Sequence, residues 1–127
     1  MFDFSEPLNE AFAPGGALAR RLPGFSARES QIEMAQAVGQ AIENRGALVV
    51  EAGTGTGKTF AYVVPALLSG RRVLLSTATK TLQDQLFSKD LPLVREALGV
   101  LVPAIRCMLG VVGCLPMPWQ RRPISLA

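Results

Sequence analysis

The chain has 127 residues, of which 49% are hydrophobic and 18% charged. This suits one small core and excludes a disordered polymer. Basic and acidic side chains balance through Ala104, so the net charge of +3 comes from Arg106, Arg121 and Arg122. It is therefore no argument for nucleic-acid binding.

In chain order, residues 1–16 read as a disordered lead-in that ends in Pro14-Gly15-Gly16. A short helical turn is predicted over 17–22, before Pro23-Gly24. Ser26-x-x-Glu29 has the form of a capping box. Met34, Ala35, Val38, Ala41 and Ile42 then follow helical spacing. That helix is expected to end near Asn44-Arg45, with Gly46 as its left-handed cap. Residues 47–51 form a short apolar run suited to a buried parallel strand.

A helix should run from Lys58 towards Ser69, kinked or shortened by Pro65 and stopped by Gly70. Residues 72–76 read as a second strand, and 77–80 as a loop. A helix over 81–88 should turn Leu82, Leu86 and Phe87 inward. A further helix is expected over 93–98. A third strand is expected over 100–105, with Pro103 demanding an edge position. Strand, loop and helix in this order imply an α/β fold: a parallel sheet with flanking helices and right-handed crossovers.

The most informative stretch is Ala52-Gly53-Thr54-Gly55-Thr56-Gly57-Lys58-Thr59. It reads as a phosphate-binding loop. The glycines let the backbone turn so that successive N–H groups face phosphate oxygens. Lys58 supplies a point charge for the β- and γ-phosphates, and the Thr59 hydroxyl suits Mg²⁺. The positive end of the following helix favours the same anion. The usual pattern begins with glycine. Alanine fits at position 52 if φ stays negative.

Two further stretches invite function. Thr77, Thr79, Lys80 and Thr81 sit just past a predicted strand end. Hydroxyls, a lysine and a helix N-terminus suit a phosphodiester backbone, and they equally suit an ordinary capped helix. Gln31 lies upstream of the loop. Its amide offers the donor and acceptor that match adenine, although a solvated helix residue is the plainer reading.

Phe25 to Met34, Leu48 to Thr59, and Ser76-Thr-Ala-Thr-Lys80 with Leu82-Gln-Asp-Gln-Leu86 together resemble the start of DinG/XPD-like superfamily 2 helicases. The bacterial YoaA-type branch is the nearest. The resemblance implies a partial RecA-like P-loop NTPase domain over 17–105. It makes Gln31 the adenine sensor, Lys58 the phosphate lysine and Thr59 the Mg²⁺ ligand. It gives Thr77, Thr79, Lys80 and Thr81 to the single-stranded DNA backbone. Members use ATP to move 5′ to 3′ along single-stranded DNA and open forked duplexes in repair and replication. Many carry a 4Fe–4S cluster on four cysteines.

The chain departs from this pattern. No Asp-Glu-Ala-His-type run follows the loop, and no second motor domain is present. The expectation is a non-catalytic nucleotide-binding fragment that neither hydrolyses ATP nor unwinds DNA alone. A different P-loop ATPase or kinase is the alternative. Cys107 and Cys114 cannot supply four thiolates and read as apolar fillers. Residues 106–127 form an atypical tail. Cys114-Leu-Pro-Met-Pro-Trp119 can be encoded by codons that, one base later, spell Ala-Tyr-Leu-Cys-His-Gly. A frameshift near residue 105 would explain this. The stretch 97–119 is long and apolar, but Arg106, Pro103, Pro116 and Pro118 argue against a membrane span. With no basic start and no disulfide framework, a cytoplasmic protein is expected.

Overall fold

The computed structural model describes residues 5–53, 57–101, 104–107 and 111–114, the last two segments as backbone only. Six α-helices and three short strands follow one another: α1 (Ser5–Phe12), α2 (Ala17–Arg21), α3 (Glu29–Asn44), α4 (Lys58–Leu68), β1 (Val73–Ser76), α5 (Lys80–Gln85), α6 (Leu91–Leu98), β2 (Ala104–Cys107) and β3 (Val111–Cys114). A π-helical turn, Leu86–Asp90, joins α5 to α6.

The disordered lead-in expected over 1–16 is corrected from residue 5 onward. Leu8, Ala11 and Phe12 recur at helical spacing on one face of α1, and all three are buried. They join Leu18 of α2 in the main core. Gly16 makes the corner between these helices possible. A Cβ there would collide with the carbonyl oxygen of Glu10 and lie 2.9 Å from that of Ala13. Exposed ion pairs, Arg20–Glu10 at 2.7 Å and Arg21–Glu96 at 3.0 Å, decorate this end. Each contributes at most about 1 kcal/mol.

The core is helical. Ala35 and Gly39 are buried on α3, which packs mainly against α4. Ala61, Val63, Val64 and Leu67 of α4 meet Leu86, Leu91 and Val94 from the chain beyond β1. Pro65 is buried inside α4, which continues past it to Leu68 with Ser69 as C-cap, so the helix reaches its expected end and the expected shortening does not occur. Phe25 packs edge-on against Phe60, with ring centroids 6.1 Å apart.

Several local expectations shift. Helix α3 begins at Glu29 with Arg28 as N-cap, and no side chain caps it, so the capping box at Ser26 does not form. At its far end Arg45, not Gly46, takes the left-handed conformation (φ 52°). Gly46 instead donates to the Ala41 carbonyl at 2.9 Å. On α5 the inward residue is Gln83, while Leu82 is exposed. Leu86 is buried as expected, in the π-helical turn that follows.

The sheet differs most. β1 pairs with β3, and β3 with β2, all antiparallel, in the order β1-β3-β2. The expected parallel sheet is not what the described residues build. Residues 47–51 have no ladder, and Leu48, Val49 and Val50 are 43%, 97% and 41% exposed. A parallel strand needs neighbours delivered by crossovers and helices on both faces. Instead the chain beyond residue 110 fills one edge of β1 as an antiparallel neighbour. No described helix is long and apolar enough to cross a membrane. Much of the 97–119 stretch, and the tail from 115 onward, lies outside the described residues.

Candidate functional site

The end of α3 that carries Gln31 meets the start of α4. Gln31 is 5% exposed, which rules out the solvated alternative for this residue. Its Nε2 donates to the Gly57 carbonyl oxygen at 3.0 Å. An amide nitrogen carries two hydrogens, so this bond leaves one N–H and the Oε1 acceptor for a ligand. Gly57 is the N-cap of α4 in the left-handed conformation, φ 73° and ψ 33°. A Cβ there would collide with Gln31 Nε2 and stand 2.9 Å from its Cδ. Glycine is required twice over, by dihedral and by space.

Lys58 opens α4 and is exposed. Its Nζ donates to the Ala52 carbonyl oxygen at 2.8 Å, bridging the two ends of the loop. The ammonium is thus held at the first residue of the stretch that the sequence assigns to phosphates. Thr59 follows on the first turn, half-buried. The free N–H groups at the start of this eleven-residue helix add the positive end of its dipole. Thr54, Gly55 and Thr56 lie outside the described residues. Ala52 and Gly53 border a cavity of about 470 Å³ together with Gln31.

Sequence reading missed the rest of that cavity. Ser30, Glu33, Met34 and Ala37 of α3, with Val50 and Glu51, complete its wall. The helical spacing of 33, 34 and 37 reads equally as core packing. Met34, Ala37 and Val50 give the cavity one apolar side, opposite polar groups that include the Gln31 amide and the carboxylates of Glu33 and Glu51, and an apolar side with a few polar groups suits a planar heterocycle.

Thr77, Thr79, Lys80 and Thr81 gather at the carboxyl end of β1. Thr79 is the N-cap of α5, its Oγ1 accepting from Leu82 N at 3.2 Å. Thr77 Oγ1 donates to the Thr79 carbonyl at 3.1 Å. Thr79, Lys80 and Thr81 are exposed and Thr77 is half-buried. The capped-helix reading is therefore real. It leaves the Lys80 ammonium and Thr81 hydroxyl facing solvent.

Among the described residues no group of three or more His, Cys, Asp or Glu could hold a metal. A Mg²⁺ ion would reach this chain through Thr59 and a triphosphate. The residues do not fit an iron–sulfur cluster. Cys107 pairs with Val111 and Cys114 with Ala104, so the two cysteines occupy opposite ends of the β2–β3 ladder. Two cysteines cannot supply four ligands to one cluster.

The model of the DEAD/DEAH box helicase family matches residues 32–105, more than half of the chain. The ATP-dependent DNA helicase YoaA of Haemophilus influenzae is 51% identical over 97 residues, covering 76% of this chain and 15% of the relative. YoaA of Escherichia coli is 58% identical over 91 residues, covering 72% and 14%. The ATP-dependent helicase DinG of Mycobacterium tuberculosis is 45% identical over 91 residues, covering 68% and 14%. The chain thus spans about one-seventh of the length of these curated relatives. No solved structure matches it significantly.

Proposed function

Because this chain belongs to the DEAD/DEAH box helicases, we propose that it is the ATP-binding front of a 5′ to 3′ DNA helicase motor of the DinG/YoaA kind. Such a motor would act on single-stranded DNA or forked duplexes in cytoplasmic repair and replication. The family implies a P-loop NTPase fold. Its finer form, a RecA-like parallel sheet that includes 47–51 and 73–76, is part of this proposal.

One observation carries the reading. The buried Gln31 amide is anchored on the last glycine of the phosphate loop, beside a cavity with an apolar wall. Its remaining N–H and Oε1 match N7 and the 6-amino group of adenine. Lys58 neutralises the β- and γ-phosphates, while the amides at the start of α4 donate to their oxygens. The Thr59 hydroxyl, with the triphosphate, would hold Mg²⁺, which would withdraw charge from the phosphates. Thr77, Thr79, Lys80 and Thr81 position a DNA backbone at the end of β1. Cleavage also needs a strand-end carboxylate and an arginine from a second domain, and the chain has no such acidic run. It therefore binds without turning over. The 4Fe–4S cluster is not part of this proposal.

The tail from Arg106 is assigned to a shifted reading frame. The family match ending at residue 105 supports this. Sequencing the gene tests it, since a shifted frame without further helicase motifs overturns it.

Nucleotide titration tests the main reading. Fluorescent ATP should bind more tightly than GTP, Gln31→Ala should erase that preference, and Lys58→Ala should weaken both by more than tenfold. Equal affinity for ATP and GTP in the unaltered chain would remove Gln31 from base recognition. Phosphate release stimulated by single-stranded DNA would show that the chain is catalytically complete after all.

A further inference from the structure

Helix α5, the turn Leu86–Asp90 and α6 follow one another without a break, so residues 80–98 are one helix with a π-turn inside it. Bonding there is offset by one residue. The Leu91 N–H donates to the Leu86 carbonyl, where an α-helix would send it to Phe87. The cause lies in the sequence, because residue 92 is proline. In an unbroken α-helix the Ser88 carbonyl would need the N–H of residue 92, which proline lacks, and the ring would press on that same oxygen. A residue before proline is also driven away from helical dihedrals. Leu91 nevertheless keeps them, at φ −61° and ψ −49°. A turn with one added residue lets the helix pass a proline that would otherwise stop it.

The two sides of this turn are held unequally. Leu91 and Val94 anchor α6 in the core, and α6 packs on α2 and α4. Arg21 ties its far end through Glu96 at 3.0 Å. Leu86 anchors the turn itself, which touches α4. On α5 the buried residue is Gln83, while Lys80 and Thr81 are exposed at its start.

We infer that Leu86–Asp90 is a hinge about which α5 tilts while α6 stays on the core, and that a DNA backbone at Thr79–Thr81 selects one tilt. The selection rests on the DNA contact proposed for 77–81, and the hinge does not. Because the turn packs on α4, which opens with Lys58 and Thr59, the hinge stands between the DNA-facing loop and the phosphate loop.

Distances between spin labels test this on the full chain in a Cys107→Ser/Cys114→Ser background. Labels at Leu82→Cys and Gln40→Cys, both exposed positions, report α5 against α3. Labels at Leu93→Cys and Gln40→Cys report α6 against α3. The 82–40 distances should spread more widely than the 93–40 distances. Oligothymidylate should shift and narrow the first set and leave the second in place. Deleting Ser88 together with Pro92→Ala gives each N–H across the turn an i−4 carbonyl, so this variant should bind oligothymidylate and lose the shift. Bound oligothymidylate with unmoved 82–40 distances overturns the hinge and leaves the DNA contact standing. Lack of binding by the unaltered turn overturns the DNA contact alone. A spread at 82–40 no wider than at 93–40 overturns the hinge with or without DNA, and decides the matter even if the deletion variant does not fold. A shift shared by both label pairs, or one that survives the deletion, also overturns it.

Discussion

Replacing Gly57 with alanine tests whether Gln31 and the phosphate loop act as one unit. Two costs arise at that position. The dihedral φ of 73° is left-handed, and an alanine there costs roughly 1 kcal/mol or slightly more. The new Cβ also meets the end of the Gln31 side chain. That amide is buried, so it must swing aside and lose its 3.0 Å bond to the Gly57 carbonyl. The lost bond adds about 1 kcal/mol. Gly70 provides the control. Its φ is 62°, and a Cβ would meet nothing within 4 Å. Gly70→Ala should therefore cost only the backbone strain, about 1 kcal/mol. Urea unfolding should place Gly57→Ala about 1 kcal/mol below Gly70→Ala. In a Gln31→Ala background the gap should close, as a double-mutant cycle requires for groups in contact. If the two glycine variants lose equal stability, or if the gap survives without Gln31, the coupling argument is wrong.

Three other outcomes follow. Phe12→Ala should cost about 3–5 kcal/mol in chemical denaturation, because the ring is almost fully buried in the core. A cost below about 0.5 kcal/mol would return α1 to the status of a lead-in. Thr79→Ala removes the acceptor for Leu82 N and should cost α5 about 1 kcal/mol, speeding Leu82 amide exchange roughly fivefold. Unchanged exchange would mean that the cap is not formed in solution. Asp90 titrates above its ordinary value of 3.8 because burial disfavours its charge, a shift that Lys89 partly opposes. The folded chain therefore holds this proton more tightly than the unfolded chain. Stability is lost as pH rises from 3.8 through the folded value, and the deficit remains at neutral pH. Asp90→Asn should raise the urea midpoint at pH 7 and lose that advantage below pH 3.8.

The parts of the site that were legible in the sequence are those whose chemistry is local. Lys58 and Gly57 need only their neighbours to form a loop end and a helix start, and both sit where the motif places them. Gln31 was identified by residue type, but its burial comes from α4 packing over α3, which no single residue announces. The run 47–51 reads as a buried strand because Ala47, Leu48, Val49 and Val50 are apolar. Burial, however, belongs to the neighbours, and these are missing among the described residues. At α1 the error has the opposite sign. Polar residues and the following Pro-Gly-Gly suggest a loose start, yet Leu8, Ala11 and Phe12 needed only a partner surface to form a helix. Arg45 shows the limit of cap rules. Gly46 was the natural choice for the left-handed position, but the helix runs one residue shorter. The Arg71 side chain, donating to the Ile42 carbonyl at 2.8 Å, satisfies one of the groups left over at that end.

The contact between α2 and α6 also sets an order of events during synthesis. Arg21 reaches Glu96 across 75 residues of chain, and the two helices pack together. A ribosome must therefore deliver nearly a hundred residues before the amino-terminal helices find their final cover. Until then α1 leans on α3 and α4 and α2 on α1, with the Leu91 and Val94 side of the core still unbuilt. Closure of this long loop becomes the late step, because its entropy is lost before the contact compensates for it. Ribosomes stalled near residue 85 should thus hold a chain whose first twenty residues remain open to proteases and chaperones, and ribosomes stalled beyond the emergence of residue 98 should not.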